Sequence, residues 1–257
     1  MFSEAFEFPF KVGEPLVMTC HFSGIYDVNR NTTLPNDDFS LVRDWAISLQ
    51  KHRVNGVIFH NNFSAATCLQ HQHPQLCFIS VTHDCAFSPN VYRYIVYREF
   101  LKQHASKISH LFVTDATDVR MLQNPFIDTF FKLQDGKLFC GDEPEILDNE
   151  WMYHHSQTLR YSITNYADFE AQFKNDVLLN CGIIGGNILM MNRFIDELAS
   201  IHAQYNRNNV SLYTGDMGAF NYLARTRFNH GLIHGTPVNT VFKQYEIARK
   251  DCWFSHK

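Results

Sequence analysis

An apolar strand that ends in two carboxylates lies near the middle of the chain, in the segment SHLFVTDATDVR at residues 109–120. Asp115 directly follows Thr114 at the end of the apolar run, and Asp118 lies three residues further along. Two carboxylates close together repel each other unless a cation lies between them. Mg²⁺ and Mn²⁺ bind such carboxylates together with water and phosphate oxygens. The pair therefore indicates a divalent-metal site; alternatively, Asp115 caps the following turn while Asp118 faces solvent or pairs with Arg120.

Short apolar runs alternate with helical patterns on both sides of this segment, which predicts an α/β fold. We expect a mostly parallel central sheet with helices on both faces, and ligands beyond the carboxyl ends of its strands. No repeat or linker divides the chain, so residues 1–257 are expected to form a single domain. Strands are predicted at residues 16–20, 56–59, 76–81, 111–114 and 177–184. Helices are predicted at 90–104, 194–204 and 215–226, with a further one capped by Asp37 or Asp38 and running to about His52.

The composition excludes several classes of protein. Hydrophobic residues make up 45% of the 257 residues, which is typical of a globular protein and not of a disordered chain. The net charge of −4 argues against a general nucleic-acid binder. Seven cysteines without a CxxC pair favour reduced thiols, and we expect a cytoplasmic protein. The sequence shows no apolar run long enough for a transmembrane helix and no basic leader.

The segment TDATDV at residues 114–119, followed by NPF at 124–126, resembles the metal-binding motif of nucleotide-sugar-dependent glycosyltransferases of the GT-A fold. The resemblance runs from about Val17 to Lys257. The family's usual motif has its acids two residues apart, whereas Asp115 and Asp118 are three apart, so it stays open whether both bind the metal directly. Later segments resemble other family motifs in the expected order: NCGIIGGN at 180–187, TGDMGAFN at 214–221, HGTPVN at 234–239 and FSHK at 254–257.

The resemblance implies a metal-dependent transferase that moves a sugar from a nucleoside diphosphate, with UDP favoured, to a hydroxyl of a glycan. Residues 180–187 favour a retaining outcome. Asp115, Asp118 and a late histidine would hold Mn²⁺ or Mg²⁺, which would neutralise the leaving diphosphate. His256 is preferred over His234 for this role, because Lys257 follows it and would reach the diphosphate.

The remaining predicted site residues each have a structural alternative. Asp216 would bond sugar hydroxyls or activate the acceptor, or would stabilise a helix start. Arg98 would reach the donor, or would pack its stem and extend its head to water. Arg93, near the start of the same predicted helix, is a second candidate for contact with the donor. Asn187 would bond the sugar or would simply end its strand, and Gly185 and Gly186 would let the backbone approach the donor or would form a tight turn. The expected catalytic residues are thus Asp216, Asn187 and Arg98, and the expected donor-binding residues are Thr19, His21, Ser23, Arg93, Asp115, Gly185, Gly186 and Lys257.

Two other functions share these features. A magnesium-dependent phosphoesterase or phosphotransferase would use the same Asp pair, although the GxxxxGK[ST] loop is missing and Asp115-x-Thr117 lacks a second acid. A non-catalytic sugar-binding domain would have the same fold and would bind a donor or a glycan without transferring the sugar. The expected partners are a nucleotide-sugar and a glycan, and no nucleic acid. We expect the parent protein to continue beyond Lys257 and to contact a membrane, if at all, through regions outside this sequence.

Overall fold

The protein is described by a computed structural model that covers residues 2–4, 6–27, 31–208 and 215–257. The strands are β1 (Glu14–His21), β2 (Tyr26–Asp27), β3 (Thr32–Thr33), β4 (Asn55–His60), β5 (Leu76–Ser80), β6 (Ile108–Thr114), β7 (Val119–Met121), β8 (Leu138–Ile146), β9 (Val177–Asn187), β10 (Leu232–His234) and β11 (Phe254–His256). The helices are α1 (Ser40–Lys51), α2 (Ala65–Gln70), α3 (Pro89–His104), α4 (Thr129–Leu133), α5 (Glu150–His155), α6 (Gln157–Ser162), α7 (Tyr166–Phe173), α8 (Ile188–Tyr205) and α9 (Asp216–Arg227).

In the described part of the chain, a seven-stranded sheet forms the centre, in the order β10-β8-β9-β6-β1-β4-β5. Neighbouring strands are parallel except at β9, which runs antiparallel to both β6 and β8. Alternate residues of β1 enter opposite cores: Leu16 and Met18 pack in the core that contains α3, α8 and α9, while Val17 packs in the core that contains α1. The predicted α/β architecture with a mostly parallel sheet is confirmed.

Local capping explains where two helices differ from their predicted starts. Asp38 Oδ1 accepts a hydrogen bond from the Ser40 amide at 2.9 Å, but Phe39 occupies the N-cap position of α1. Asn187 Oδ1 accepts from the Met190 amide at 2.9 Å, so α8 begins at Ile188, well before the predicted residue 194. A capping Asn ends β9 and starts α8 without a loop between them.

The small β7–β11 sheet positions the end of the chain next to the Asp115–Asp118 turn. β11 pairs antiparallel with β7, with His256 opposite Val119. The Lys257 amide donates to the Asp118 carbonyl at 3.0 Å, and His256 is only 2% exposed. This terminal segment is therefore held by backbone pairing rather than frayed. Within the ranges that the structure covers, no helix is long and apolar enough to cross a membrane.

Candidate functional site

A cavity of about 1050 Å³ opens beyond the carboxyl ends of β1 and β6. Its wall includes His21 at the end of β1, Asp115 after β6 and Asp216 at the start of α9. This is the edge at which parallel α/β sheets bind ligands. The volume is at the upper end of the range for small-molecule sites.

Asp115, Asp118 and His256 converge on one point of the cavity wall. Each offers one ligand atom, and the three atoms lie within 4.8 Å of one another. His256 Nε2 lies 4.0 Å from Asp115 Oδ2. The local fold explains this convergence, because Asp115 follows β6, Asp118 precedes β7, and β11 pairs with β7.

The space between these side chains fits a metal ion. A Cβ placed on Gly182 of β9 would lie 2.4 Å from His256 Cε1 and 2.8 Å from Asp115 Oδ2, so only a glycine leaves this point free. Two carboxylates and an imidazole suit Mn²⁺ or Mg²⁺, with positions left for water and phosphate oxygens. The structure brings His256 to the aspartates; His234, the other predicted histidine, lies 2.9 Å from Asp142 Oδ2 through its Nδ1.

Arg93 of α3 lies between two of the acids in the cavity wall. Its Nη1 bonds Asp115 Oδ1, and its Nη2 lies 3.8 Å from Asp216 Oδ2 and 3.2 Å from Cys181 Sγ. Burial is the largest single influence and opposes the charge on the guanidinium, but Asp115, Tyr94, Cys181 and Asp216 together outweigh it and raise the pKa of Arg93. Arg93 therefore lines the cavity, and its bond to Oδ1 of Asp115 leaves Oδ2 on the side of His256.

Asp216 is the first residue of α9 and is 6% exposed. Gly215 precedes it at φ +73°, a conformation that favours glycine. Asn221, one turn along α9, fixes the helix to β9: it bonds both the amide and the carbonyl of Leu179, at 3.0 and 2.9 Å. Thr214, which begins the predicted motif, lies outside the described residues.

Two predicted donor-binding residues also line the cavity. Lys257 is half-buried beside the three candidate metal ligands Asp115, Asp118 and His256 (the metal group). His21 stacks on Phe63 with ring centroids 5.2 Å apart. Together with Arg93, Asp115, Asp118, Asp216 and His256, they form the part of the prediction that the structure brings together.

Arg98 and Asn187 do not line the cavity, so the structure does not bring them together with the other predicted site residues. Arg98 Nε lies 3.3 Å from Glu99 Oε1. This placement agrees with the alternative in which the stem of Arg98 packs and its charged head stays polar. Asn187 caps α8 through Met190, and its Nδ2 donates to Asp135 Oδ1 at 2.9 Å. Both side chains are engaged in the scaffold.

Gly185 and Gly186 also lie away from the cavity, inside β9 rather than in a turn. A Cβ on Gly185 would lie 2.2 Å from the Phe112 ring of β6, and one on Gly186 would lie 2.8 Å from the Lys137 carbonyl. These glycines are needed for close packing of the sheet. Only the first part of the predicted segment, with Asn180, Cys181 and Gly182, reaches the cavity.

Thr19 and Ser23 are buried behind the cavity wall and do not line it. Thr19 Oγ1 donates to the Thr114 carbonyl at 2.8 Å and so ties β1 to β6. The backbone of Ser23 bonds the side chain of Asn61, which donates to the Ser23 carbonyl and accepts from its amide, both at 2.9 Å. The structure therefore places both residues in support of the cavity wall rather than in its lining.

Sequence reasoning missed the wall that β8 and α5 contribute. Glu143 Oε1 accepts from Asn180 Nδ2 at 2.6 Å, and burial raises the pKa of Glu143. Trp151 stacks on His155 with ring centroids 3.7 Å apart. Burial lowers the pKa of His155, against the pull of Asp216. A Trp and a His four residues apart on a short helix give no periodic signal that separates this wall from an ordinary surface.

Comparison with protein-family models finds no match to the chain. A search of the curated proteins finds no significant similarity either. The function of the chain is therefore inferred from the geometry and chemistry of the site.

Proposed function

We propose that the protein is a metal-dependent glycosyltransferase with a GT-A-like fold, which moves a sugar from a nucleoside-diphosphate donor to a hydroxyl of a glycan. The observation that carries this proposal is the convergence of Asp115, Asp118 and His256 within 4.8 Å in a cavity of about 1050 Å³. The cavity has room for a nucleotide and a sugar together. The reversed strand β9 in an otherwise parallel sheet is compatible with this fold.

The residues of the site have separate roles in this proposal. A divalent ion held by Asp115, Asp118 and His256 supplies positive charge to the leaving diphosphate. The Lys257 ammonium adds a second positive charge beside it. Arg93 orients Asp115 and compensates its charge.

Asp216 lies buried beside Arg93, where its carboxylate accepts hydrogen bonds from sugar hydroxyls. The proton of the acceptor hydroxyl passes to the leaving phosphate in the retaining outcome that we propose. UDP is the proposed nucleotide. The seven cysteines are all free thiols, which supports a reducing compartment and a cytoplasmic protein.

Calorimetric binding of UDP with and without Mn²⁺ tests the proposal. We expect binding that requires Mn²⁺ in the wild type and falls at least about 10-fold in Asp118→Asn, because a metal ligand is lost. Asp196→Asn, an exposed position on α8 away from the cavity, is the matched control and should bind as the wild type does. UDP binding that ignores Mn²⁺ or survives Asp118→Asn would contradict the metal-site assignment.

The same Asp pair would serve a magnesium-dependent phosphoesterase, and activity separates the two functions. Incubation with a panel of UDP-sugars should give free UDP and a new glycosidic bond, whose anomeric configuration NMR identifies. Phosphate release from simple phosphoesters, without sugar transfer, would favour the phosphoesterase. Binding of donor and glycan without turnover would favour a sugar-binding domain.

A further inference from the structure

One part of the cavity wall differs in chemistry from the metal side. This part, the α5 wall, consists of Glu143, Glu145, Glu150, Trp151 and His155. Glu145 and Glu150 are exposed at its rim, and Glu143 is half-buried. The donor-binding residues assigned above do not belong to it, so this wall is available to a second substrate.

The α5 wall adjoins the reaction centre along two routes. Asn180 donates to Glu143 and accepts from the Gly182 amide at 2.6 Å, and the Gly182 carbonyl accepts from the Asp115 amide at 2.8 Å. His155 is buried within electrostatic range of Asp216. The α5 wall therefore adjoins both Asp115 and Asp216 within the same cavity.

Trp151 gives this wall a flat apolar surface. It is 43% exposed, and the buried His155 ring supports it from behind at 3.7 Å between centroids. A half-exposed Trp held rigid by stacking offers a large contact area at a low entropy cost. The C–H face of a pyranose ring is apolar and flat, and it matches such a surface.

The charge of the α5 wall restricts what binds there. Carboxylates accept hydrogen bonds from hydroxyls, which are the polar groups of a sugar. They repel carboxylates, sulfates and phosphates, and like-charge opposition is an effective way to reject a competing ligand. Lys243 acts on Glu143, but the two rim glutamates extend the negative charge beyond it.

On the basis of the proposed function, we infer that the α5 wall is the acceptor site and that it takes an uncharged glycan, stacked on Trp151 and bonded through its hydroxyls to the glutamates. Glycans that carry carboxylate, phosphate or sulfate groups are rejected. The acceptor sugar is thereby restricted to a chemical class, and its hydroxyl lies next to Asp216.

Tryptophan fluorescence reports on this wall selectively. Trp45 and Trp253 are each 1% exposed, so quenching of the indoles by acrylamide reports mainly on Trp151. The protein, with and without UDP and Mn²⁺, is titrated with neutral tetrasaccharides of several linkages and with tetragalacturonate. We expect at least one neutral tetrasaccharide to protect Trp151, and tetragalacturonate to bind at least 10-fold more weakly.

Three variants test the individual contributions, with saturation-transfer NMR as the readout that does not need the indole. Trp151→Ala should weaken binding of the neutral tetrasaccharide by about 10-fold. The double variant Glu145→Gln/Glu150→Gln should strengthen tetragalacturonate binding by roughly two- to fivefold for each charge removed. Tyr161→Ala, which is 85% exposed and outside the cavity, should change neither.

Each result decides between the inference and the function on which it rests. The inference is overturned if tetragalacturonate binds as tightly as the neutral tetrasaccharides or more tightly. It is also overturned if UDP and Mn²⁺ bind but none of the neutral tetrasaccharides does. Saccharide binding that Trp151→Ala leaves intact also overturns it. If neutral saccharides protect Trp151 while UDP and Mn²⁺ fail to bind, the α5 wall stands as a glycan site and the donor assignment falls.

Discussion

Gly182 lies directly behind the metal group, and adding one methyl group there should damage the site more than the fold. The Cβ of Gly182→Ala would lie 2.4 Å from His256 Cε1 and 2.8 Å from Asp115 Oδ2. Ordinary carbon contacts begin at 3.4 Å, so the His256 ring must move by about 1 Å. Metal–ligand distances tolerate only about 0.2 Å.

The backbone at Gly182 cannot retreat to absorb this shift. Its carbonyl accepts from the Asp115 amide at 2.8 Å, and its amide donates to Asn180 Oδ1 at 2.6 Å. The two ligand side chains must therefore give way. We expect affinity for Mn²⁺ to fall by roughly 10- to 100-fold, and the free energy of unfolding without metal to fall by about 1–3 kcal/mol.

Mn²⁺ titration by calorimetry and urea unfolding in the absence of metal give the two numbers. Gly141→Ala is the matched control, because Gly141 is buried in the adjacent strand β8 and its added Cβ would meet nothing closer than 3.6 Å. Wild-type Mn²⁺ affinity in Gly182→Ala would refute the reasoning, as would an equal loss in Gly141→Ala.

Three further changes probe the supports of the site and the fold. Arg93→Met should lower the free energy of unfolding by about 3–5 kcal/mol in urea titrations, because it leaves the buried Asp216 and the half-buried Asp115 without the cation between them. Asn221→Ala should cost about 1–3 kcal/mol in the same assay, since the Leu179 backbone loses both hydrogen bonds. Burial lowers the pKa of His60 from 6.5 to about 4, so the neutral form is favoured in the fold. The free energy of unfolding is therefore unaffected by the titration of His60 above pH 6.5 and falls as the pH drops toward 4, by roughly 3 kcal/mol at most. Urea unfolding between these pH values should depend less on pH in His60→Gln.

The outcomes that contradict these expectations are distinct. Arg93→Lys keeps the charge and should be less destabilising than Arg93→Met; equal losses would mean that packing, not charge, matters there. A stable Asn221→Ala would show that α9 is held by its apolar face alone. An unchanged pH dependence in His60→Gln would assign the acid sensitivity to other buried histidines.

The central sheet could be predicted because its strands carry their signal locally. The apolar residues before Asp115 form β6, and the same kind of run forms β1, β4, β5 and β9. The polar residues that follow the parallel strands β1 and β6 lie at one edge, where His21, Asp115 and Asp118 line one cavity, whereas the carboxyl end of the antiparallel β9 lies at the opposite edge. Strand ends of a parallel sheet meet at the same edge whatever their order, which is why this much follows from one sequence.

The choice between Arg93 and Arg98 could not be made from the sequence alone. Both lie on α3, and a residue five positions further along a helix points in a direction about 140° away. Apolar residues surround both arginines, so periodicity alone does not show which face meets the cavity. The choice follows from Asp115 and Asp216, which reach Arg93 from β6 and α9.

The choice between His234 and His256 depends on contacts between distant parts of the chain. His256 reaches the aspartates only because β11 pairs with β7, and neither strand exceeds three residues. Strands this short have no recognisable pattern. Trp151 was missed for the related reason that exposure, which distinguishes it from Trp45 and Trp253, is a property of the folded molecule.

The pairing of β11 with β7 also orders events during synthesis. The two aspartates leave the ribosome long before His256, and domains form from their N-terminal parts first. A nascent chain with most of its sheet in place therefore has two carboxylates and no imidazole to complete the triad. If the proposed function holds, the three candidate ligands come together only after β11 has paired with β7.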